Sequence, residues 1–111
     1  MILRYIRVLA VGLALGMGVA SGSAAAAAPE ASQVQIKDFM FEPMTLTIRA
    51  GTSVTWVNQD DEPHTVVGDG GLFRSGALDT GEAYSFRFEK AGTYAVFCSI
   101  HPQMKARIIV E

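Results

Sequence analysis

After residue 33 the chain alternates apolar and polar positions with period two, and no segment there carries an apolar stripe at helical spacing. Val34 and Ile36 open a first strand. Phe39, Met40 and Phe41 follow, and Pro43 behind them predicts an edge or a bend, because proline cannot donate to a strand ladder. Leu46 and Ile48 alternate with Thr45, Thr47 and Arg49 up to a turn at Ala50-Gly51. Residues 53–58 (Ser-Val-Thr-Trp-Val-Asn) are strong strand formers at period two. Residues 59–63 are polar and turn-like, and 65–67 resume extended character. Tyr84, Phe86 and Phe88 alternate with Ser85, Arg87 and Glu89 in the clearest half-buried strand. Residues 90–93 turn, 94–98 form another strand, and Ala106, Ile108 and Val110 alternate to the C-terminus. About six to eight short strands at regular spacing predict an all-β chain folded as a two-sheet β-sandwich. Gly68-Asp69-Gly70-Gly71 is a loop without the Gly-Lys-Ser/Thr ending of a phosphate cradle.

The N-terminal part has a different pattern. Arg4 and Arg7 precede an uncharged run over 8–20, and residues 23–28 offer small-residue cleavage sites. These are the parts of a secretory signal peptide. The expected organisation is a signal peptide over 1–27, cut after Ala25, Ala26 or Ala27, a flexible segment over 28–33, and one folded domain over 34–111. An uncleaved anchor would need the apolar run to reach about 20 residues. Its second half is alanine and serine, which favours cleavage and no membrane span in the mature protein. The two arginines are not adjacent, so a Sec-type rather than a twin-arginine signal is expected. The address that follows is the periplasm.

Charge and size narrow the class. Beyond Arg4 and Arg7 the chain has seven basic against eleven acidic residues, a net charge of −4. Such a domain is no nucleic-acid binder by charge. A domain of about 85 residues buries only about 60–65% of its unfolded surface and often needs a staple. The single cysteine, Cys98, cannot form an internal disulfide. A metal is then the natural candidate.

Cys98-Ser99-Ile100-His101-Pro102-Gln103-Met104 places a thiol, an imidazole and a thioether where one strand ends and the next begins. The only other histidine, His64, also sits in a loop between strands. One thiolate and two imidazoles in a trigonal plane, with a weak axial thioether, form the donor set of blue-copper centres. Taken singly, each residue is more often buried filler or surface. Together, the C-x2-H-x2-M spacing and the upstream Pro63-His64 single out a metal site. A free thiol would also be a liability in an oxidising compartment unless ligation protected it. Zinc rarely takes methionine, and its catalytic sites keep a position open for water. Two histidines are too few for a multicopper oxidase or a copper nitrite reductase. A cysteine hydrolase would need an activating helix start or elbow, which this segment lacks. Copper donors more often show exposed Met-rich or C-x-x-C sites than a closed two-imidazole one.

The stretch Gly51-Thr52-Ser53-Val54-Thr55-Trp56-Val57-Asn58, then Pro63-His64, then Ala91-Gly92-Thr93-Tyr94 through Cys98-x-x-His101-Pro102-x-Met104, resembles the cupredoxins. Among them the short C-x2-H-x2-M loop is most similar to that of the amicyanins. The resemblance spans about Val34 to Glu111. It implies a Greek-key sandwich with one copper ion near one end, ligated by His64, Cys98, His101 and Met104. It implies an electron carrier, not an enzyme, working as a monomer between protein redox partners, such as a periplasmic dehydrogenase as donor and a c-type cytochrome as acceptor. Thr65 stands where the family usually has the Asn that ties its two ligand loops together. Ile100 and Gln103 replace the amicyanins' proline and phenylalanine. His101, in the turn, is the expected electron port, with Pro63, Ile100 and Pro102, joined by Phe39 or Leu78, as an apolar collar. Asp60, Asp61 and Glu62 are expected to steer a basic partner.

Overall fold

The computed structural model describes residues 31–111. The expected signal peptide lies outside them. Eight strands form: β1 (Ala31–Lys37), β2 (Met40–Glu42), β3 (Thr45–Ile48), β4 (Thr52–Asn58), β5 (Val67–Gly68), β6 (Ala83–Phe88), β7 (Gly92–Phe97) and β8 (Lys105–Val110). They make two four-stranded sheets, ordered β2-β1-β4-β6 and β3-β8-β7-β5. Each is mixed, because β1 runs parallel to β4 and β3 parallel to β8, while the other pairs are antiparallel. The all-β sandwich read from the alternation is the observed fold. β1 begins ahead of Val34, since Ala31–Gln33 already pair with Ser53–Thr55 along β4. Among the described residues no helix is long and apolar enough to cross a membrane.

Period two becomes a two-faced ladder. In β4, Thr52, Val54, Trp56 and Asn58 are buried while the residues between them are half-exposed. Val34, Ile36, Phe41, Val54, Trp56 and Phe88 from one sheet meet Ile48, Val96, Ile108 and Val110 from the other. Trp56 has no exposure and stacks on Phe73 at 5.7 Å between centroids. Phe73 also meets Phe86 at 4.7 Å and Phe88 at 5.5 Å. This aromatic cluster fills the core, where interiors pack as densely as organic crystals.

The segment after β5 has no period for sequence reading to find. It makes a short 3-10 turn at Asp69–Gly71 and then runs back beside residues 64–68. Bridges join Val67 to Arg74 and His64 to Leu78. The Gly68 N–H donates to the Phe73 carbonyl at 2.8 Å, and the Val66 N–H to the Ser75 hydroxyl at 2.8 Å. Phe73 and Leu78 are thereby buried. Gly68 is required for this: a Cβ there would lie 2.6 Å from the Phe73 ring. That ring is held by three other aromatics and cannot step aside. Gly68→Ala is expected to destabilise the fold by about 1–3 kcal/mol, an overpacking cost, read as a lowered denaturant midpoint.

Candidate metal centre

Two loops, one leaving each sheet, build the site. β4 ends at Asn58, which is fully buried. Its Nδ2 donates to the carbonyls of Glu62 at 2.9 Å and Leu78 at 2.8 Å, and its Oδ1 accepts the Asp60 N–H at 2.9 Å. Those three bonds coil residues 59–63 into a fixed turn. His64 then exchanges two backbone bonds with Leu78, at 3.1 and 2.7 Å, and its side chain has no exposure. On the other side β7 ends at Phe97. The Cys98 N–H donates to the Met104 carbonyl at 3.2 Å, and the Met104 N–H to the His101 carbonyl at 2.9 Å. This closure buries Cys98 and Met104 at the base of a tight loop and leaves His101 partly exposed at its tip.

The structure brings three of the expected donors together. The Cys98 Sγ lies 3.9 Å from the Nδ1 of His64 and 3.9 Å from the Nδ1 of His101. The ligand atoms of the three residues all fall within 4.8 Å of one another. At 3.9 Å these are weak contacts as hydrogen bonds. They suit a shared ion: bonds of about 2.0–2.3 Å at about 120° separate two donors by roughly 3.7 Å. Met104, only 3% exposed, is tied to both Cys98 and His101 through its backbone. His64, Cys98, His101 and Met104 thus form the donor arrangement of a type 1 copper centre, a soft sulfur pair with two imidazoles.

Thr65 takes over the tie between the loops. Its backbone N–H donates to Cys98 Sγ at 3.3 Å, and its hydroxyl lies 3.7 Å from the same sulfur. That hydroxyl also accepts the Ser99 N–H at 2.7 Å and bonds the Ser99 hydroxyl at 2.8 Å. The usual asparagine is therefore dispensable: a β-branched hydroxyl at this position reaches across by itself. Burial works to raise the Cys98 thiol. The N–H groups of Thr65 and His101, with the Thr65 hydroxyl, outweigh it and hold the thiol below its ordinary value. A thiolate is the form that ligates metal.

Two residues read otherwise from sequence belong to the site. Asp60 is not a solvated steering charge. Its side chain is 11% exposed, and its Oδ2 lies 2.8 Å from His64 Nε2. Its carboxylate also accepts the N–H groups of Asp38 at 2.7 Å and Phe39 at 2.9 Å. Burial works to raise this carboxyl, and the bonds from Phe39, Asp38 and His64 bring it below the ordinary value. An acceptor on Nε2 fixes the tautomer that leaves Nδ1 free toward the sulfur, the usual way an outer group aims a ligating histidine. Leu78 is buried and holds the His64 backbone, so it is no part of an exposed collar. Phe39 is, at 42% exposed, and its ring stands edge-on to both His64 and His101.

A two-sheet sandwich with a thiolate, two imidazoles and a thioether gathered at one end defines the class of small blue-copper folds. The chain belongs to the cupredoxin-like family, whose domain model matches residues 8–110. It is 37% identical over 87 residues to amicyanin of Paracoccus versutus, covering 74% of this chain and 66% of that protein. It is 42% identical over 85 residues to plastocyanin of Scenedesmus fuscus, covering 65% of this chain and 87% of that one. The solved Cu(I) form of an amicyanin variant superposes with a TM-score of 0.70 at 32% identity, over 76% of this chain and 85% of that chain.

Thr65→Val keeps the shape and the N–H bond to sulfur but removes the hydroxyl. It is expected to cost the metal-free protein about 1–2 kcal/mol in chemical denaturation, the range for a hydrogen-bonded hydroxyl lost at a partly buried site, with Thr65→Ser nearer to wild type.

Proposed function

We propose that this protein is an exported one-electron carrier whose single copper ion is held by His64, Cys98, His101 and Met104. The observation that carries this reading is the convergence of two imidazole nitrogens on one buried sulfur, 3.9 Å from each. When bound, copper supplies a one-electron couple by cycling between Cu(I) and Cu(II). The names amicyanin and plastocyanin among the relatives support an electron carrier rather than an enzyme.

The protein's residues do the rest. Cys98, His64 and Met104 are buried, so the donor set excludes water and leaves no position for a substrate. His64 is fixed by two backbone bonds to Leu78, and Cys98, His101 and Met104 by the bonds that close their loop, which holds the geometry while the charge on the site changes. His64 is sealed inside, while His101 is partly exposed, so His101 is the route to a partner. Phe39 and Ile100, at 42% and 45% exposure, stand with exposed Pro63 and Pro102 near that end as an apolar rim. A rim of this size suits transient redox complexes, which often bury less than about 1,200 Å².

Asp61 and Glu62 remain exposed beside the buried His64. They supply the steering charge once Asp60 is turned inward, and they fit a basic partner such as a c-type cytochrome, with a dehydrogenase as donor. The carrier works as a monomer in the periplasm, after removal of a signal peptide over 1–27 from a domain whose first strand starts at Ala31, so that residues 31–33 belong to the sheet and not to a flexible segment. N-terminal sequencing of the exported protein tests that cut, with a mature start at Ala26, Ala27 or Ala28 expected.

The deciding measurement is the visible absorption of the mature protein after addition of Cu(II). An intense blue thiolate-to-copper band is expected that bleaches with ascorbate, returns on oxidation, and is abolished by Cys98→Ser. No band, with the thiol still freely reactive, would overturn the copper assignment. Asp61→Asn with Glu62→Gln is expected to slow association with a basic redox protein by up to about tenfold at low salt and to flatten its ionic-strength dependence. Ile100→Glu is expected to slow transfer at all salt concentrations while leaving the blue band in place.

A further inference from the structure

The turn between β1 and β2 has a backbone that nothing local favours. Asp38 and Phe39 both hold left-handed conformations, with φ of 55° and 58°. A bulky aromatic residue rarely sits there without outside support. Asp60 gives that support from 21 residues away, its Oδ1 accepting the Asp38 N–H and its Oδ2 the Phe39 N–H. The Oδ2 also bonds His64 Nε2.

The turn delivers one ring to the metal site. Phe39 meets His64 at 5.1 Å with an interplanar angle of 90°, and His101 at 4.9 Å with 87°. The two imidazoles are 5.0 Å apart. Edge-on contacts at such distances are the favourable aromatic geometry. His64 has a carboxylate on its outer nitrogen. Among the described residues His101 has none, and it rides on an exposed loop tip. Beside the His64 ring and the Cys98 sulfur, the flank of Phe39 is the contact that limits its swing on the outer side.

We propose that Asp60 and Phe39 form a clamp that holds both imidazoles in ligating orientation, with Asp60 acting on His101, which it does not touch, through the Phe39 turn. Asp60 fixes His64 directly and His101 at one remove, so a single carboxylate aligns the two nitrogen donors from the two loops. The inference rests on the ligand set proposed above, but the clamp itself exists in the metal-free protein and can be read there.

The chemistry of the carboxylate sets the test. Two oxygens accept three N–H groups. Asn has the same shape but one oxygen, so in either orientation its amide N–H faces a backbone or imidazole N–H. In metal-free Asp60→Asn, the ring-current shift of Phe39 on the His101 ring protons is expected to be lost in the NMR spectrum. Affinity for Cu(II) is expected to fall about 10–100-fold, as for other groups that orient metal ligands. Phe39→Leu should lose the same His101 shift while the His64 tautomer, read from its ring nitrogens, stays as in wild type. Adding Asp38→Gly to Asp60→Asn should bring the shift partly back, since glycine takes positive φ without strain.

A merely structural aspartate would lower stability without moving the His101 signals. Unchanged His101 ring signals in Asp60→Asn, or in Phe39→Leu, would overturn the clamp. If Asp60→Asn fails to fold, Phe39→Leu decides by the mobility of the His101 ring in NMR relaxation, since the ring-current shift goes with the ring itself: a His101 ring as rigid as in wild type would overturn the clamp. A wild-type protein lacking the blue band but showing the coupled ring shifts would sink the copper reading and leave the clamp standing.

Discussion

The thiol of Cys98 sits at zero exposure between two loops that leave different sheets. An anionic sulfur in such a place is tolerable only where donors surround it, because burial alone favours the neutral thiol. The Thr65 N–H, its hydroxyl and the His101 N–H supply those donors. One of the loops follows β4 and the other follows β7, so the distance from the sulfur to His64 is set by how the two sheets pack. Trp56 and Phe88 on one side and Val96 and Ile108 on the other pack in the core that joins the two sheets.

The parts legible in the sequence are those with a periodic or a chemical signature. β4 and β6 alternate so regularly that their buried faces follow from spacing alone. Cys98 is the chain's only cysteine, His64 and His101 its only histidines, and Met104 follows His101 by three residues, so their loop positions could be inferred from where the strands end. The segment from 69 to 82 was opaque because glycine, charge and single apolar residues alternate with no period. Its order comes from pairing with residues 64–68 and from the Phe73 ring. Asp60 was opaque for a different reason. In Asp60-Asp61-Glu62 nothing local says which carboxylate faces inward. The spacing of four residues to His64 is the one available hint, and it becomes a signal only once the turn is coiled by Asn58.

Thr65 illustrates how a departure from family pattern is absorbed. Reading the position as a lost asparagine predicts a missing tie. The tie is made by a backbone N–H, which any non-proline residue supplies, and by a hydroxyl short enough to face Ser99 across the gap. Ser99 follows the cysteine and has a hydroxyl of its own, so the pair closes on itself. What has to be preserved is a polar bridge between two loops, and more than one pair of side chains can build it.

The two histidines occupy opposite regimes within 5.0 Å of each other. His64 is sealed, backed by a carboxylate and held by a strand bridge. His101 reaches the surface between exposed Ile100 and Pro102. A carrier needs this asymmetry. If both rings were sealed, the partner would be kept at a distance. If both were exposed, water would enter the donor set and the geometry would relax with each change of charge. Placing one imidazole at the rim and fixing it by an aromatic edge rather than by a charged group keeps the contact surface apolar. The charge of Asp61 and Glu62 lies in solvent, outside that apolar rim. The acidic run is thus divided by burial: one carboxylate is turned onto His64, and two stay in solvent beside it.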